Sequence, residues 1–355
     1  MAYRIALIPG DGIGREVVPE AVRVLEALAA GFRFSIEFTE FPYSCGMYRE
    51  TGAMMPPDGL KRLRSFDAIF LGAVGDPEVP DHVSLWGLLI PIRRGFDQYV
   101  NLRPVRLLPG IRSPLAGRTA RDIDFVIVRE NTEGEYSQIG GRLYAGTERE
   151  IAVQESVFTR VGVDRVLRFA FELARGRRGH VTSATKSNGI IHTMPFWDER
   201  FRAIAADYPD VRTAQFHIDI LSAHFVQHPD WFDVVVASNL FGDILSDLGP
   251  ACAGGIGIAP SANLNPERRF PSMFEPVHGS APDIAGQNVA NPIAMIASAA
   301  MMLSYAFRLD KEADAIERAI VKTLDLGYRT RDIQSPGAKI VGTAEMGDII
   351  LRNLR

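Results

Sequence analysis

The chain has 355 residues, 46% of them hydrophobic and 23% charged, with a formal net charge of −4. That length allows two α/β domains, or one large one, around a substantial buried core. Its charges are scattered rather than blocked, which excludes a basic tail for nucleic acid and a polybasic helix for a membrane surface.

From the N-terminus, YRIALI runs directly into a strand, with no apolar signal region before it. PGDGIG follows as a glycine turn, and EVVPEAVRVLEALAAG carries apolar residues near 3.6 spacing, predicting a helix that stops at Gly31. The glycines are Gly10, Gly12 and Gly14, so the G-x-G-x-x-G fingerprint is not met; the segment predicts a tight turn beside an active cleft rather than a standard dinucleotide site. FRFSIEFTEF alternates as a second strand, PPDGLKRLRSF predicts a short helix, and AIFLGAVG a third strand. GLLIPI and the pair Arg93-Arg94 lead into NLRPVRLLPG, whose prolines signal an extended connection; DIDFVIVREN is a strand ending in charge.

Between 137 and 155 a Gly-Gly turn flanked by β-like runs predicts a hairpin or arm. VGVDRVLRFAFELARGRRG is then a helix, HVTSATK a strand, TMPFWDERFRAIAADYP a helix, and AQFHIDI and WFDVVVASN two further strands. ACAGGIGIAPSANLNP reads as a glycine-rich separator and FEPVHGSAPDIAG as a functional loop. Two helices, 293–307 and 311–327, finish the pattern; the apolar run in the first is too short, and interrupted by Ser298, to span a bilayer. Alternating strands and helices mean an α/β fold. Cys45 and Cys252 lack metal-ligand or redox spacing, which suits a reducing compartment, so a cytoplasmic location is expected.

The chemistry concentrates in NLFGDILSD, where Asp243 and Asp247 stand four apart. On a helix both carboxylates project from one face, an arrangement that favours a hard divalent cation such as Mg²⁺ or Mn²⁺. Asp219, after the run AQFHI, would supply a third oxygen ligand. Arg93, Arg103 and Arg129 each close an apolar segment. Taken singly each reads as a surface arginine; converging on the aspartates, they would grip a dicarboxylate between guanidinium groups and metal. Tyr136 and Lys186 add groups able to move protons if their pKa values are lowered. His278, Gly279, Ser280 and Asp283 lie in a loop whose backbone N–H groups could hold phosphate and whose acid could hold a ribose diol.

LIPGDGIGREV, NLRP, VRENTEGEY, TSATKSN, FGDILSD and EPVHGSAPDIAGQNVANP together resemble the β-decarboxylating dehydrogenases, which act on isopropylmalate, isocitrate, homoisocitrate, tartrate or D-malate. DHVSLWG, RRGFDQYVNLRPVRL and IAPSANLNPER look most like the tartrate/D-malate branch. The resemblance implies a two-domain, non-Rossmann α/β fold: a mixed sheet flanked by helices, with a dimerisation arm. It assigns residues 1–99 and 255–355 to a cofactor-side domain and 100–254 to a dimerisation and metal-side domain. It further implies a homodimer with shared sites, acting on a small hydroxy-dicarboxylate and engaging neither nucleic acid nor membrane. Arg93, Arg103 and Arg129 would hold the substrate carboxylates, and Asp243, Asp247 and a partner's Asp219 the Mn²⁺ or Mg²⁺. A partner's Lys186 would be the base and Tyr136 the acid. NAD would lie against Gly72, Ala73, Val74, Gly75, His278, Gly279, Ser280, Ala281, Asp283 and Asn291. Oxidation followed by loss of the β-carboxylate would convert D-malate to pyruvate.

One position departs from the branch: Leu88 stands where a serine is usual. Leu88, Leu89 and Ile90 cannot hold a third carboxylate, which argues against isocitrate and keeps 3-isopropylmalate as the alternative. A ligand-binding protein of the same fold without turnover is the alternative of another class, and intact Tyr136 and Lys186 argue against it.

Asp283 and Ile284 stand where the NADP-using relatives carry Lys-Tyr. An ionised Asp283 would accept hydrogen bonds from ribose hydroxyls and repel a 2′-phosphate. The double substitution Asp283→Lys, Ile284→Tyr is expected to move preference from NAD⁺ towards NADP⁺. Steady-state kinetics with both cofactors checks this, and a wild-type protein using both equally would refute it.

Overall fold

The computed structural model describes residues 2–354. AIFLGA and VVVA show no polar alternation because their strands, β3 (Ala68–Ala73) and β10 (Val234–Ala237), are buried at every position. They belong to one ten-stranded sheet. Its other members are β1 (Ala2–Gly10), β2 (Ser35–Glu40), β4 (Val100–Arg106), β5 (Asp124–Glu130), β8 (His180–Thr185), β9 (Arg212–His217), β11 (Pro260–Leu264) and β12 (Ser272–Pro276). β6 (Gly140–Leu143) and β7 (Ile151–Gln154) form a separate antiparallel hairpin, and β13 (Tyr328–Arg329) and β14 (Lys339–Ile340) a short parallel pair.

The order across the sheet is β2-β1-β3-β12-β11-β4-β5-β10-β8-β9. Both flanks are parallel, while β11 runs antiparallel to β12 and β4, and β4 antiparallel to β5. Strands from residues 2–73 and 260–276 thus form one half and strands from 100–237 the other, meeting at β11 and β4. Alternation along the strands sorts side chains between two faces. Ile5, Leu7 and Phe70 join a core with helices Gly14–Phe32 and Ile293–Tyr305. Ala6, Ile8, Ile69, Leu71 and Met273 join another with Leu88 and Ile92, beneath the helical segment before β4.

β11 and β12, read in sequence as separator and loop, are central strands. Their polar residues belong inside because they satisfy one another. Asn101 donates to Ser261 Oγ and Asn263 Oδ1, both at 3.0 Å; Asn263 donates to Glu275 Oε1 at 2.7 Å; Asn131 donates to Asn263 Oδ1 at 2.9 Å. This ladder crosses the seam between the halves.

NLRPVR is likewise strand rather than irregular connection. Pro104 is tolerated because the ladder between β4 and β11 covers only Val100–Leu102, so it ends before the residue without an N–H. The first helix runs through Gly31 to Phe32 and ends on Arg33 at φ 62°, whose N–H reaches Ala29 O. In AQFHIDI the strand stops at His217, and Asp219 lies in the first turn of helix Ile218–Gln227. A third C-terminal helix, Thr343–Asn353, buries Met346, Ile349 and Ile350. The predicted arm is present as the β6–β7 hairpin, whose residues are all exposed. Among the described residues no helix is long and apolar enough to cross a membrane.

Asn263→Ala would strip acceptors or donors from Asn101, Asn131 and Glu275 at once. A destabilisation of about 2 kcal/mol or more is expected, since buried polar groups are left unpaired. Urea denaturation followed by circular dichroism measures it; an unchanged midpoint would show that the ladder is dispensable.

Candidate active site

Three arginines are carried to one cleft by three different elements. Arg93 comes from helix Ile90–Gly95, Arg103 from β4 and Arg129 from the end of β5. All are buried, with exposures of 5%, 7% and 1%. The reading of each as a surface arginine fails because Arg103 and Arg129 share one face of the paired strands β4 and β5, and Arg93 reaches the same cleft from its helix. They line the cleft with Tyr136, Asp243, Glu275, His278 and Gly279.

Each guanidinium has a specific anchor. Arg129 donates from Nε and Nη2 to Asn239 Oδ1 at 3.0 and 2.8 Å, and from Nη1 to Asp243 Oδ1. Arg103 donates from Nη1 to Ser246 Oγ at 2.6 Å and stands 3.8 Å from Asp243 Oδ1 and 3.6 Å from Asp247 Oδ1. Arg93 donates from Nη2 to Glu275 Oε1 at 2.9 Å, leaving its Nε without a partner. Three guanidinium groups therefore stand among three carboxylates, Glu275 on Arg93, Asp243 on Arg129 and Asp247 at 3.6 Å from Arg103, and the N–H groups of the buried arginines suit an anionic ligand.

Asp243 and Asp247 lie on helix Asn239–Cys252, as their spacing requires. Burial raises the Asp243 pKa, but Arg129, Arg103, the Tyr136 hydrogen bond and Arg93 outweigh it and hold the carboxyl below its usual range. At Asp247 burial prevails over Arg103, and the neighbouring Asp243 adds to the upward shift. Burial lowers Arg129 to about 10 despite Asp243. Tyr136 OH donates to Asp243 Oδ2 at 2.7 Å. Burial first, then that hydrogen bond, push its phenol up to about 12, so the lowered pKa set as a condition in the sequence reading is not met here. Tyr136 is consequently a protonated donor at neutral pH.

Asp219 and Lys186 do not join this cleft. They pair with each other, Lys186 Nζ to Asp219 Oδ1 at 2.8 Å, with side chains 31% and 65% exposed respectively. Among the described residues no three His, Cys, Asp or Glu side chains cluster to hold a metal. The threefold aspartate set is therefore incomplete within one chain.

Of the ten expected cofactor residues five border the other wall, and Ala281, Asp283 and Asn291 do not line it. Gly72, Ala73 and Val74 border the cleft with His278 and Gly279. Gly75 and Ser280 adjoin them: a Cβ on Gly75 would lie 3.1 Å from Ser280 Oγ. His278 is buried, its Nε2 unpartnered, and burial lowers its pKa. Ala281 takes φ 40° in the turn leading to Asp283, whose carbonyl accepts from Gln287. Asn291 is committed internally, accepting from Ile293 N–H at 3.0 Å and donating to Asp332 at 3.1 Å.

The apolar wall differs in detail from the expectation. Leu85 and Leu89 line the cleft, whereas Leu88 and Ile90 are buried at 0% and 6% exposure and do not line it. Leu85 and Leu89 stand four apart and so share one face of the helical segment, whereas sequence adjacency assigned Leu88 and Ile90 to that face as well. Glu275, Asn239 and Ser246 escaped the sequence reading as well. Their signal was a polar side chain inside an otherwise apolar strand or helix face.

The family model for isocitrate/isopropylmalate dehydrogenase matches residues 4–350. The chain belongs to this family. It is 61% identical over 338 residues to D-malate dehydrogenase [decarboxylating] of Escherichia coli strain K12, covering 93% of this chain and 94% of that protein. It is 59% identical to tartrate dehydrogenase/decarboxylase of Pseudomonas putida, covering 96% and 98%. Among solved structures, isocitrate dehydrogenase from Methylococcus capsulatus superposes with a TM-score of 0.89 at 35% identity, over 99% of both chains.

Proposed function

We propose that this protein is an NAD-dependent, divalent-metal-dependent dehydrogenase that oxidises and decarboxylates D-malate or tartrate. The observation that carries the reading is the convergence of buried Arg93, Arg103 and Arg129 with the Tyr136–Asp243 pair in one cleft. The names of the 61% and 59% identical relatives support the substrate class.

Two carboxylates one helical turn apart suit a hard cation, and Asp243 is held ionised by its arginine neighbours. Asp243 and Asp247 would hold Mn²⁺ or Mg²⁺ with Asp219 from a second copy of the chain. Bound there, the cation would supply stabilisation of negative charge on the substrate's C2 oxygen, and NAD⁺ would supply the hydride acceptor. The arginines orient the two carboxylates of the substrate. Lys186 of the second copy takes the hydroxyl proton, giving the 2-oxo acid; the β-carboxylate then leaves as CO₂, and Tyr136 delivers a proton to the carbon it left. From D-malate the product is pyruvate. Leu85 and Leu89 offer nothing to a third carboxylate, which disfavours isocitrate; the same apolar wall is what favours 3-isopropylmalate as the second reading.

A homodimer is proposed on two features. Lys186 and Asp219 lie apart from the cleft of their own chain. The β6–β7 arm and its flanks expose Ile139, Leu143, Tyr144, Ile151 and Val153. We place the boundary between a cofactor-side domain, 1–99 with 255–355, and a dimerisation and metal-side domain, 100–254, at the pairing of β11 with β4. Buried, free Cys45 and Cys252 are in keeping with the cytoplasm.

NADH formation from D-malate, L-tartrate and 3-isopropylmalate with Mn²⁺ tests the reading. Asp243→Asn is expected to abolish metal-dependent turnover with the fold retained; wild-type rates at the same Mn²⁺ concentration would sink the metal assignment. Mixing inactive Lys186→Ala and inactive Tyr136→Phe subunits should restore part of the activity, because one site of each heterodimer regains both groups. Failure to recover after verified subunit exchange would refute shared sites.

A further inference from the structure

The PGDGIGRE turn, which binds nothing by the glycine criterion, grips the proposed cofactor wall from behind. Asp11 N–H donates to Ala73 O at 2.7 Å, and the buried Asp11 carboxylate accepts from Gly75 N–H at 3.2 Å and Cys45 N–H at 3.0 Å. Ile13 N–H donates to Ser280 O at 2.8 Å. Three residues later, Glu16 spans the far end of the second loop, its two oxygens accepting from Gly286 N–H at 2.6 Å and Asn288 N–H at 3.0 Å. Contact is too close for side chains: a Cβ on Gly10 would fall 1.9 Å from Ala73 O, and one on Gly12 2.0 Å from Ser280 O.

We infer that Asp11 and Glu16 are positioning residues for NAD, holding the 72–75 and 278–288 loops in one fixed relation so that the dinucleotide meets a preformed surface. The inference rests on the cofactor reading above and extends it to residues that do not touch the cleft. The loops come from β3 and β12, adjacent strands whose last registered pair is Phe70 opposite Phe274. Beyond that register no sheet pairing between these strands fixes one loop against the other. The turn and the first residues of helix Gly14–Phe32 supply the missing constraint, because they are bonded to both. Carboxylates are well suited to this role, since each accepts two or more N–H groups at once and charge-assisted bonds are the stronger kind. Gly286 at φ 77° and Asn288 at φ 56° take left-handed backbone, so without Glu16 that turn has conformations to lose on binding.

The experiment compares Glu16→Ala, Glu16→Gln and Asp11→Asn with wild-type enzyme, measuring KM for NAD⁺ and for D-malate separately, thermal midpoint, and amide exchange at 284–288. For Glu16→Ala, KM for NAD⁺ should rise roughly fivefold to twentyfold with KM for D-malate within about twofold, as for lost preorganisation. Exchange at Gly286 and Asn288 should accelerate, and Glu16→Gln, keeping one acceptor oxygen, should recover part of the affinity. Asp11→Asn should weaken NAD⁺ in the same selective way. Unchanged KM for NAD⁺ in Glu16→Ala and Asp11→Asn, or equal rises in both KM values, would overturn the inference while leaving wild-type NAD⁺ reduction intact. A wild-type protein that neither binds nor reduces NAD⁺ would overturn the cofactor reading itself, and this inference with it.

Discussion

Three guanidinium groups buried beside one another repel, and most of the central structure can be understood as the means of holding them there. Burial depresses the pKa of Arg129 and Arg103, and each is further lowered by an arginine neighbour. Asp243, Glu275, Asn239 and Ser246 offset that cost with directed acceptors. The arrangement sets three guanidinium groups among three carboxylates, Asp243, Asp247 and Glu275, at the cleft. Removing one acceptor would leave a buried cation unpaired, a far costlier event than the loss of an exposed pair.

The antiparallel seam is the second half of the same solution. Three successive antiparallel pairings, β12–β11, β11–β4 and β4–β5, set the two parallel flanks running in opposite directions, and the cleft lies over the sheet face where both halves contribute side chains. β3 and β12 bring the glycine and histidine wall; β5 brings Arg129; helix Asn239–Cys252, after β10, brings Asp243. The polar ladder of Asn101, Asn131, Ser261 and Asn263 joins the halves, and Asn263 gives Glu275 a second donor beside Arg93. Sheet architecture and charge placement are thus one constraint, and Arg93 meets it from the opposite side through Glu275.

What lies outside the cleft is equally directed. The hairpin β6–β7 has too few strands and too little covered apolar surface to be stable by itself in water. Lys186 and Asp219 neutralise each other at an exposed position, though the resemblance assigns them to catalysis and metal binding. A second copy of the chain would give both features a purpose.

The sequence by itself determined the α/β class, the long strands and helices, and the residue types at the site. Apolar periodicity reports burial directly in AIFLGA, VVVA and helix 293–305, and the spacing of Asp243 and Asp247 is a local helical fact. Glycine positions in PGDGIG showed a tight turn but not what it touches. Tertiary structure alone decided the rest. PSANL and SMFEP are strands only because neighbouring strands satisfy their buried polar groups, a long-range property absent from any window of sequence. That Leu85 and Leu89 rather than Leu88 line the cleft depended on how their helical segment sits in the fold, and the upward shift at Tyr136 on burial beside Asp243. That Asp219 and Lys186 stand apart from the arginines could be seen only with the chain folded, since spacing along a sequence sets no distance between elements that different strands carry away.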